Sequence, residues 1–168
     1  MLAMPAHATA GAPTVPTPDG DRTVVTVLAD DHAEMTAPYA CPTGEALVAF
    51  SDSWGAPRSG GRRHEGVDVI GHRGAPILAV VDGFAKAKSN TLGGTAVWLV
   101  GDDGNRYYYA HLDSHGTLGA VTKGSVIGYM GDTGNAKASV VHLHFGAFVD
   151  DDTPANPYPL VADWCGRR

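Results

Sequence analysis

Two short histidine patterns in this sequence have the composition of a metal site. His64 and Asp68 stand four residues apart, and His142 and His144 flank a single leucine. In a strand, residues i and i+2 point to the same face roughly 6.7 Å apart, so the histidine pair would enter one cavity. Residues four apart in a flat strand are separated by roughly 13 Å, so His64 and Asp68 can share an ion only where the chain bends, and Gly66 suits a bend.

A helical alternative exists for the first pattern, as a variant of the HExxH zinc motif with Glu65 as general base. That geometry needs residues i and i+4 on one helical face, whereas Gly66 and the two valines of this segment are poor helix formers. Each pattern alone is weak evidence, because a histidine is often a hydrogen-bonded core residue or a surface residue.

Together the patterns point to zinc hydrolysis. Such enzymes commonly use three His and carboxylate ligands and leave one position for water, and His64, Asp68 and one histidine of the 142/144 pair would supply that set. Zinc lowers the pKa of its water to about 7, but a base and an oxyanion donor are still needed. The other histidine of the pair and His111, at the end of a tyrosine-rich segment, are the candidates.

The segments that must position these residues are short apolar runs separated by glycine-rich turns, a texture typical of strands. Two turn sequences, Asp82-Gly83 and residues 101–105, predict β-hairpins. Candidate strands cover residues 47–50, 66–70, 76–81, 95–100, 106–110, 125–130 and 140–149. We predict an all-β domain, a small antiparallel β-sandwich or open barrel, with an irregular N-terminal extension.

Composition excludes two classes of function. The net charge is -6 and there is no basic stripe, so we expect no nucleic-acid partner. No stretch approaches the roughly 18 apolar residues of a membrane span. Cys41 and Cys165 either form a disulfide, which would indicate an oxidising compartment and which we favour, or remain buried thiols.

The first 40 residues differ in composition from the rest of the chain. Residues 1–20 are rich in Ala, Pro and Thr, and Ala8-Thr9-Ala10 fits a signal-peptidase site, so this segment is either a signal-peptide remnant or a disordered tail. We divide the chain into a loosely packed extension, residues 1–40, and a zinc hydrolase domain, residues 41–168. We expect a secreted, extracytoplasmic monomer.

The histidine patterns and their surroundings resemble the lysostaphin/LytM-like zinc endopeptidases of bacterial cell walls. The similarity runs from about Phe50 to Phe148 and keeps the order and approximate spacing of the family's motifs. Its pieces are the segments 54–58, 63–68, 74–77, 79–83, 109–112, 126–128, 131–134 and 142–145.

The resemblance implies a small antiparallel β domain with an active-site groove and one Zn²⁺ per chain. Position by position, it makes His64, Asp68 and His144 the metal ligands and makes His111 and His142 catalytic. It does not say which of these two histidines is the base. One or more of Tyr107, Tyr108 and Tyr109 would approach the substrate, which the resemblance implies to be peptidoglycan peptide.

Two other functions remain open at this point. Some members of the wider family have lost ligands and regulate other wall enzymes, so the main alternative is a non-catalytic, metal-bound module that binds the wall or activates a hydrolase. A wall carboxypeptidase or amidase is the other. Residues 21–40 could also cover the groove, although no spacing supports a zinc ligand there. His72 and His115 have no role that the resemblance assigns.

Overall fold

Strands are the main regular structure of the computed structural model, which describes residues 38–44, 49–149 and 153–166. In these ranges the chain forms nine strands and one short α-helix, besides two short 3₁₀ turns. Their bounds are β1 Val67–Ile70, β2 Pro76–Leu78, β3 Gly83–Asn90, β4 Gly94–Gly101, β5 Arg106–His115, β6 Gly119–Val121, β7 Val126–Met130, β8 His142–Val149, β9 Thr153–Ala155 and α1 Tyr158–Trp164.

All strand pairs are antiparallel, and the main path runs in the order β1-β8-β5-β4-β3-β6. The long strand β5 also pairs with β7, β7 pairs with β2, and β9 continues the edge of β8. The result is an open sheet that does not close into a barrel. The predicted β-dominated, antiparallel fold is thereby confirmed.

The register of β1 and β8 separates core residues from the residues of the site. Val67 lies opposite Phe145 and Val69 opposite Leu143, and all four are fully buried. Because side chains alternate along a strand, the intervening pair of Asp68 and His144 points to the other face. One ladder therefore carries both a wall of the core and two candidate metal ligands.

The hairpin predicted at Asp82-Gly83 is wrong, whereas the one at residues 101–105 is confirmed by the pairing of β4 with β5. Gly83 instead begins β3, whose partners are β4 and β6, while the preceding β2 pairs with β7. A side chain at Gly83 would meet the backbone of Val100. The glycine thus permits close packing between strands and does not form a two-residue turn.

The sequence analysis did not predict four elements: the three-residue strands β6 and β9, the long strand β3 and the helix α1. Strand β3 is mostly exposed, with Lys86 and Lys88 on its surface, so it lacks the apolar run that identifies a buried strand. Helix α1 spans only seven residues, about two turns, and one fully buried residue, Val161, fixes it to the core. Seven residues are too few to show a helical period.

A disulfide joins Cys41 to Cys165, with 4.8 Å between the Cα atoms, as the sequence analysis favoured. Beside it, the ring of Tyr39 stacks on Trp164 with centroids 4.7 Å apart. The proposed signal-peptide remnant and the possible cover over the groove from residues 21–37 lie outside the described residues. The first half of the predicted strand at 47–50 also lies outside them, and in its second half Ala49 forms an isolated bridge to Ile70.

Among the described segments, none of the helices has the length and apolar character needed to cross a membrane.

Candidate active site

Three side chains of the sequence-predicted ligand set meet at one point. Nε2 of His64 lies 2.9 Å from Nδ1 of His144 and 3.0 Å from Oδ1 of Asp68. The distance between Nδ1 of His144 and Oδ1 of Asp68 is 3.1 Å. The three donor atoms thus form a nearly equilateral triangle, although His64 and His144 are 80 positions apart in the sequence.

The chain bends at Gly66 to bring His64 into this triangle. Strand β1 begins only at Val67, so Asp68 lies within the strand and His64 lies before it. A Cβ atom at Gly66 would stand 2.5 Å from Cε1 of His144 and 2.7 Å from the carbonyl oxygen of Phe145. Glycine is therefore required at position 66 because the backbone there lies directly against the imidazole of His144. This requirement adds to the bend that the sequence predicted.

Neighbouring groups orient the candidate ligands. Nδ1 of His64 lies 3.0 Å from the carbonyl oxygen of Ser53, which can only accept, so this nitrogen carries the proton and Nε2 offers its lone pair. The Arg58 guanidinium donates to Oδ2 of Asp68 at 2.6 Å, which leaves Oδ1 to face the histidines. Contacts of this kind fix the tautomer and rotation of metal ligands.

The Asp68 carboxyl is ionised in this environment. Burial raises its pKa, but the imidazoles of His144 and His64, both within 3.1 Å of Oδ1, together outweigh burial and hold the pKa well below the usual range. The pKa of His144 is lowered, chiefly by burial, so its neutral form is favoured. A neutral imidazole and an ionised carboxylate are the forms that bind a metal ion.

The donor set fits a zinc ion. Two imidazole nitrogens and one carboxylate oxygen are a common ligand set for catalytic zinc, with bonds of about 2.0–2.2 Å. Tetrahedral bonds of that length require donor atoms roughly 3.3–3.6 Å apart, close to the 2.9–3.1 Å found here. Three groups that can each present a lone pair meet at this point, and a cation between them removes their mutual repulsion.

A β-bulge places His111 at the site. Between β4 and β5 the register shifts so that Ala110 and His111 together oppose the single residue Ala96. His111 has a φ of 64°, in the left-handed region, and its amide donates to the carbonyl oxygen of Gly93. Strand alternation alone would turn His111 away from Ala110, which shares the face of His144. Bulges commonly redirect a side chain in this way beside an active site.

His111 and His142 face each other with ring centroids 4.8 Å apart. Nδ1 of His111 lies 2.9 Å from the carbonyl oxygen of Thr133, and Nδ1 of His142 lies 2.7 Å from that of Val140. Since carbonyl oxygens only accept, both Nδ1 atoms carry protons and both Nε2 atoms keep their lone pairs in the neutral ring. Nε2 of His142 is 3.9 Å from Oδ1 of Asp68.

Burial lowers the pKa of the His111 imidazole to about 4, despite the opposing effect of its hydrogen bond to Thr133. At neutral pH this ring is uncharged, so its Nε2 can accept a proton.

His64, His111 and His144 line a groove of about 410 Å³, and Asp68 and His142 contact these histidines beside it. Its floor is the outer face of β4, β5 and β8, where the tilted rings of Trp98 and Tyr108 have centroids 4.8 Å apart and that of Phe148 lies 5.0 Å from Trp98. One wall is the loop that precedes His64, and the opposite wall contains Asn90, Leu92, Gly93 and Asn135.

Of the three predicted tyrosines, only Tyr108 lines the groove, where its hydroxyl accepts a hydrogen bond from Asn90. Tyr107 and Tyr109 are buried in the core on the opposite face of β5. The two histidines without an assigned role stay apart from the site. His72 is exposed, and Nε2 of His115 lies 2.9 Å from the carbonyl oxygen of Ala96.

Sequence reasoning missed Ser53, Arg58 and Thr133 as partners of the site. Arg58 and Thr133 lie in two of the segments that carry the family resemblance, which was the available signal. Two of the three contacts use main-chain carbonyl oxygens, which no side-chain pattern can indicate.

The profile of Peptidase family M23 matches residues 62–157. An L-Ala--D-Glu endopeptidase of Bacillus subtilis (strain 168) is 34% identical over 134 residues, which cover 69% of this chain and 40% of that protein. The DD-carboxypeptidase/endopeptidase Mpg of Neisseria meningitidis serogroup B is 36% identical over 102 residues, 60% of this chain and 23% of that protein. The chain therefore spans less than half the length of both curated relatives.

Among solved structures, the catalytic domain of the antimicrobial peptidase lysostaphin from Staphylococcus simulans superimposes with a TM-score of 0.60 at 29% identity. The superposition covers 68% of this chain and 92% of the lysostaphin domain.

Proposed function

The chain belongs to peptidase family M23, and from that premise we propose that it is a zinc-dependent endopeptidase that hydrolyses amide bonds in the peptide part of peptidoglycan. The family match extends over all five proposed site residues, from His64 to His144. The names of two relatives, an L-Ala--D-Glu endopeptidase and a DD-carboxypeptidase/endopeptidase, support a wall-peptide substrate and leave the bond to be identified.

The observation that carries this proposal is the arrangement of five side chains around one point, where three of them line the groove. Three of them bring donor atoms within 3.1 Å of one another, and the other two keep unprotonated Nε2 atoms beside that point. A structural metal site would need the first three residues alone. Two further histidines with fixed tautomers indicate proton transfer.

His64, Asp68 and His144 would hold the zinc ion, which when bound supplies a Lewis acid and lowers the pKa of a water molecule. The chain's own contribution is proton transfer and orientation. In the neutral state, Nε2 of His111 or His142 can accept the proton of the attacking water. The partner imidazole, once protonated, can donate a hydrogen bond to the oxyanion of the tetrahedral intermediate.

The main alternative is a non-catalytic module that binds the wall or activates a hydrolase. A module without catalytic activity would not need His111 to be redirected by a bulge. Nor would it need the imidazoles of His111 and His142, 4.8 Å apart, beside the three proposed ligands. The disulfide between Cys41 and Cys165 agrees with the proposed extracytoplasmic location, because disulfides persist in oxidising compartments.

Digestion of purified peptidoglycan, read by mass spectrometry with and without a chelator, tests the proposal. We expect chelator-sensitive release of peptides, whose new termini identify the bond. His144→Ala should lose stoichiometric zinc and activity, whereas His142→Ala should keep zinc and lose activity. Zinc retained by His144→Ala would overturn the ligand assignment, and wild-type protein that binds zinc yet cleaves no wall type would overturn the enzymatic function.

A further inference from the structure

Three arginines stand on the groove wall just before the first proposed metal ligand. Arg58, Arg62 and Arg63 line the groove, although the whole chain has only 12 Lys and Arg residues and a net charge of -6. Among the described residues of the lining, the only formally charged groups besides these three are the carboxylate of Glu65 and any protonated histidine. The groove is therefore positive on a chain that is negative overall.

Main-chain hydrogen bonds fix the loop that carries these arginines. The amide of Gly55 donates to the carbonyl oxygen of His64, and the amide of His64 donates to Ala56, both at 2.9 Å. Within the loop, the amide of Arg58 donates to the carbonyl oxygen of Arg62 at 3.0 Å. The loop is a small hairpin that ends on His64, so Arg63 lies one residue from the triangle of donor atoms.

The three guanidinium groups differ in their partners. Arg58 is neutralised by Asp68 at 2.6 Å. Arg62 donates to the carbonyl and hydroxyl oxygens of Ser59, and Arg63 donates to the carbonyl oxygen of Gly55. In the described ranges of the chain, no carboxylate lies within salt-bridge distance of Arg62 or Arg63. Neutral acceptors therefore position both guanidinium groups, and no carboxylate of the described ranges forms an ion pair with either.

We propose that Arg62 and Arg63 form a subsite for a peptide carboxylate beside the scissile amide. The enzyme would then select acidic stem peptides over neutral cross-bridges such as oligoglycine. A guanidinium presents a planar array of donors that matches a carboxylate, and part of each array here remains unused. This inference rests on the proposed peptidase function for its meaning, but it can be tested by binding alone.

The test compares two synthetic stem tetrapeptides that differ only in a glutamyl carboxylate, which is free in one and a carboxamide in the other. Affinities are measured by isothermal titration calorimetry on zinc-loaded His142→Ala protein. We expect the free carboxylate to bind about 10-fold more tightly, a modest ratio because exposed charge pairs are screened by water. The double change R62Q/R63Q in the same background should bring the ratio close to one.

The matched control is K86Q/K88Q, which removes the same charge from exposed positions of β3 outside the groove and should keep the preference. Raising the salt concentration should weaken the preference in protein with both arginines, a readout that needs no further variant. Equal binding of both peptides, or an undiminished preference in R62Q/R63Q, overturns the subsite. Absence of hydrolysis by wild-type protein, with the binding preference intact, would refute only the proposed enzyme.

Discussion

Gly66 offers a stringent test of the site, because alanine there would place a methyl group against a proposed zinc ligand. The added Cβ would stand 2.5 Å from Cε1 and 2.7 Å from Nε2 of His144, and 2.7 Å from the carbonyl oxygen of Phe145. Ordinary contact begins at 3.4 Å, so the ring or the new methyl must move by roughly 0.7–0.9 Å. The carbonyl oxygen belongs to the β1–β8 ladder, so it blocks the escape of the methyl group.

A displacement of that size exceeds the roughly 0.2 Å within which metal–ligand distances must hold. We expect Gly66→Ala to weaken zinc binding by at least about 10-fold, the lower end of the effect of disturbing groups that orient ligands. Overpacking should also lower the free energy of unfolding by about 1–3 kcal/mol. Zinc affinity is measured by competition with a chromogenic chelator, and stability by urea unfolding of the metal-free protein.

Gly146 on β8 provides the matched control. A Cβ there would stand 3.1 Å from Cε2 of Phe148, a side-chain atom that can give way, and 3.2 Å from the carbonyl oxygen of Glu65. Gly146→Ala should therefore keep zinc affinity within about twofold of wild type, by the same steric reasoning. Equal zinc affinities for the two variants would refute the claim that Gly66 is needed for approach to His144.

Three further predictions concern Arg58, the disulfide and Asp103. Arg58→Gln should lower zinc affinity by about 10-fold through loss of the bond that orients Asp68, and an unchanged affinity in chelator competition would contradict this. Replacing Cys41 and Cys165 by alanine releases a 124-residue loop and should cost about 2–5 kcal/mol in urea unfolding; wild-type stability would disprove it. Burial raises the pKa of Asp103, but hydrogen bonds from Tyr107, Asn105 and Tyr39 outweigh burial and lower it. The ionised carboxylate therefore stabilises the fold fully above its unfolded-state pKa of about 3.9, and this contribution is lost as the pH falls through the lower pKa of the folded state. Asp103→Asn should therefore flatten the decline of Tm as the pH falls from about 4 to about 2, and a slope identical to wild type would exclude this role.

Local sequence patterns were sufficient for the strands that carry the site. His142 and His144 flank a buried leucine in an apolar run, and the bend at Gly66 follows from the distance that a straight strand would impose. Pairing across long separations was not predictable in this way. The segment Asp82-Gly83 has the composition of a turn, yet the partners of Gly83 are Gly101 and Val121, and only the tertiary fold determines that choice.

The position of His111 shows a second limit of sequence reasoning. Its side chain reaches the site because one extra residue is accommodated between Tyr109 and Leu112, and the resulting left-handed φ is unusual for a histidine. No spacing rule indicates a bulge, so the residues alone left His111 a weak candidate, and only the family resemblance gave it a role.

The pairing of Asp68 with His144 makes the site a reporter of strand register. In an antiparallel ladder, a slip of one residue would turn both histidines of β8 toward the core and bring Leu143 to the groove. A misregistered chain could still hydrogen-bond its backbone, but it would have no triangle of donor atoms. Metal ions present during refolding would therefore selectively stabilise the molecules with the correct register. The amount of metal bound would then measure the fraction of molecules in which β1 and β8 pair in the native register.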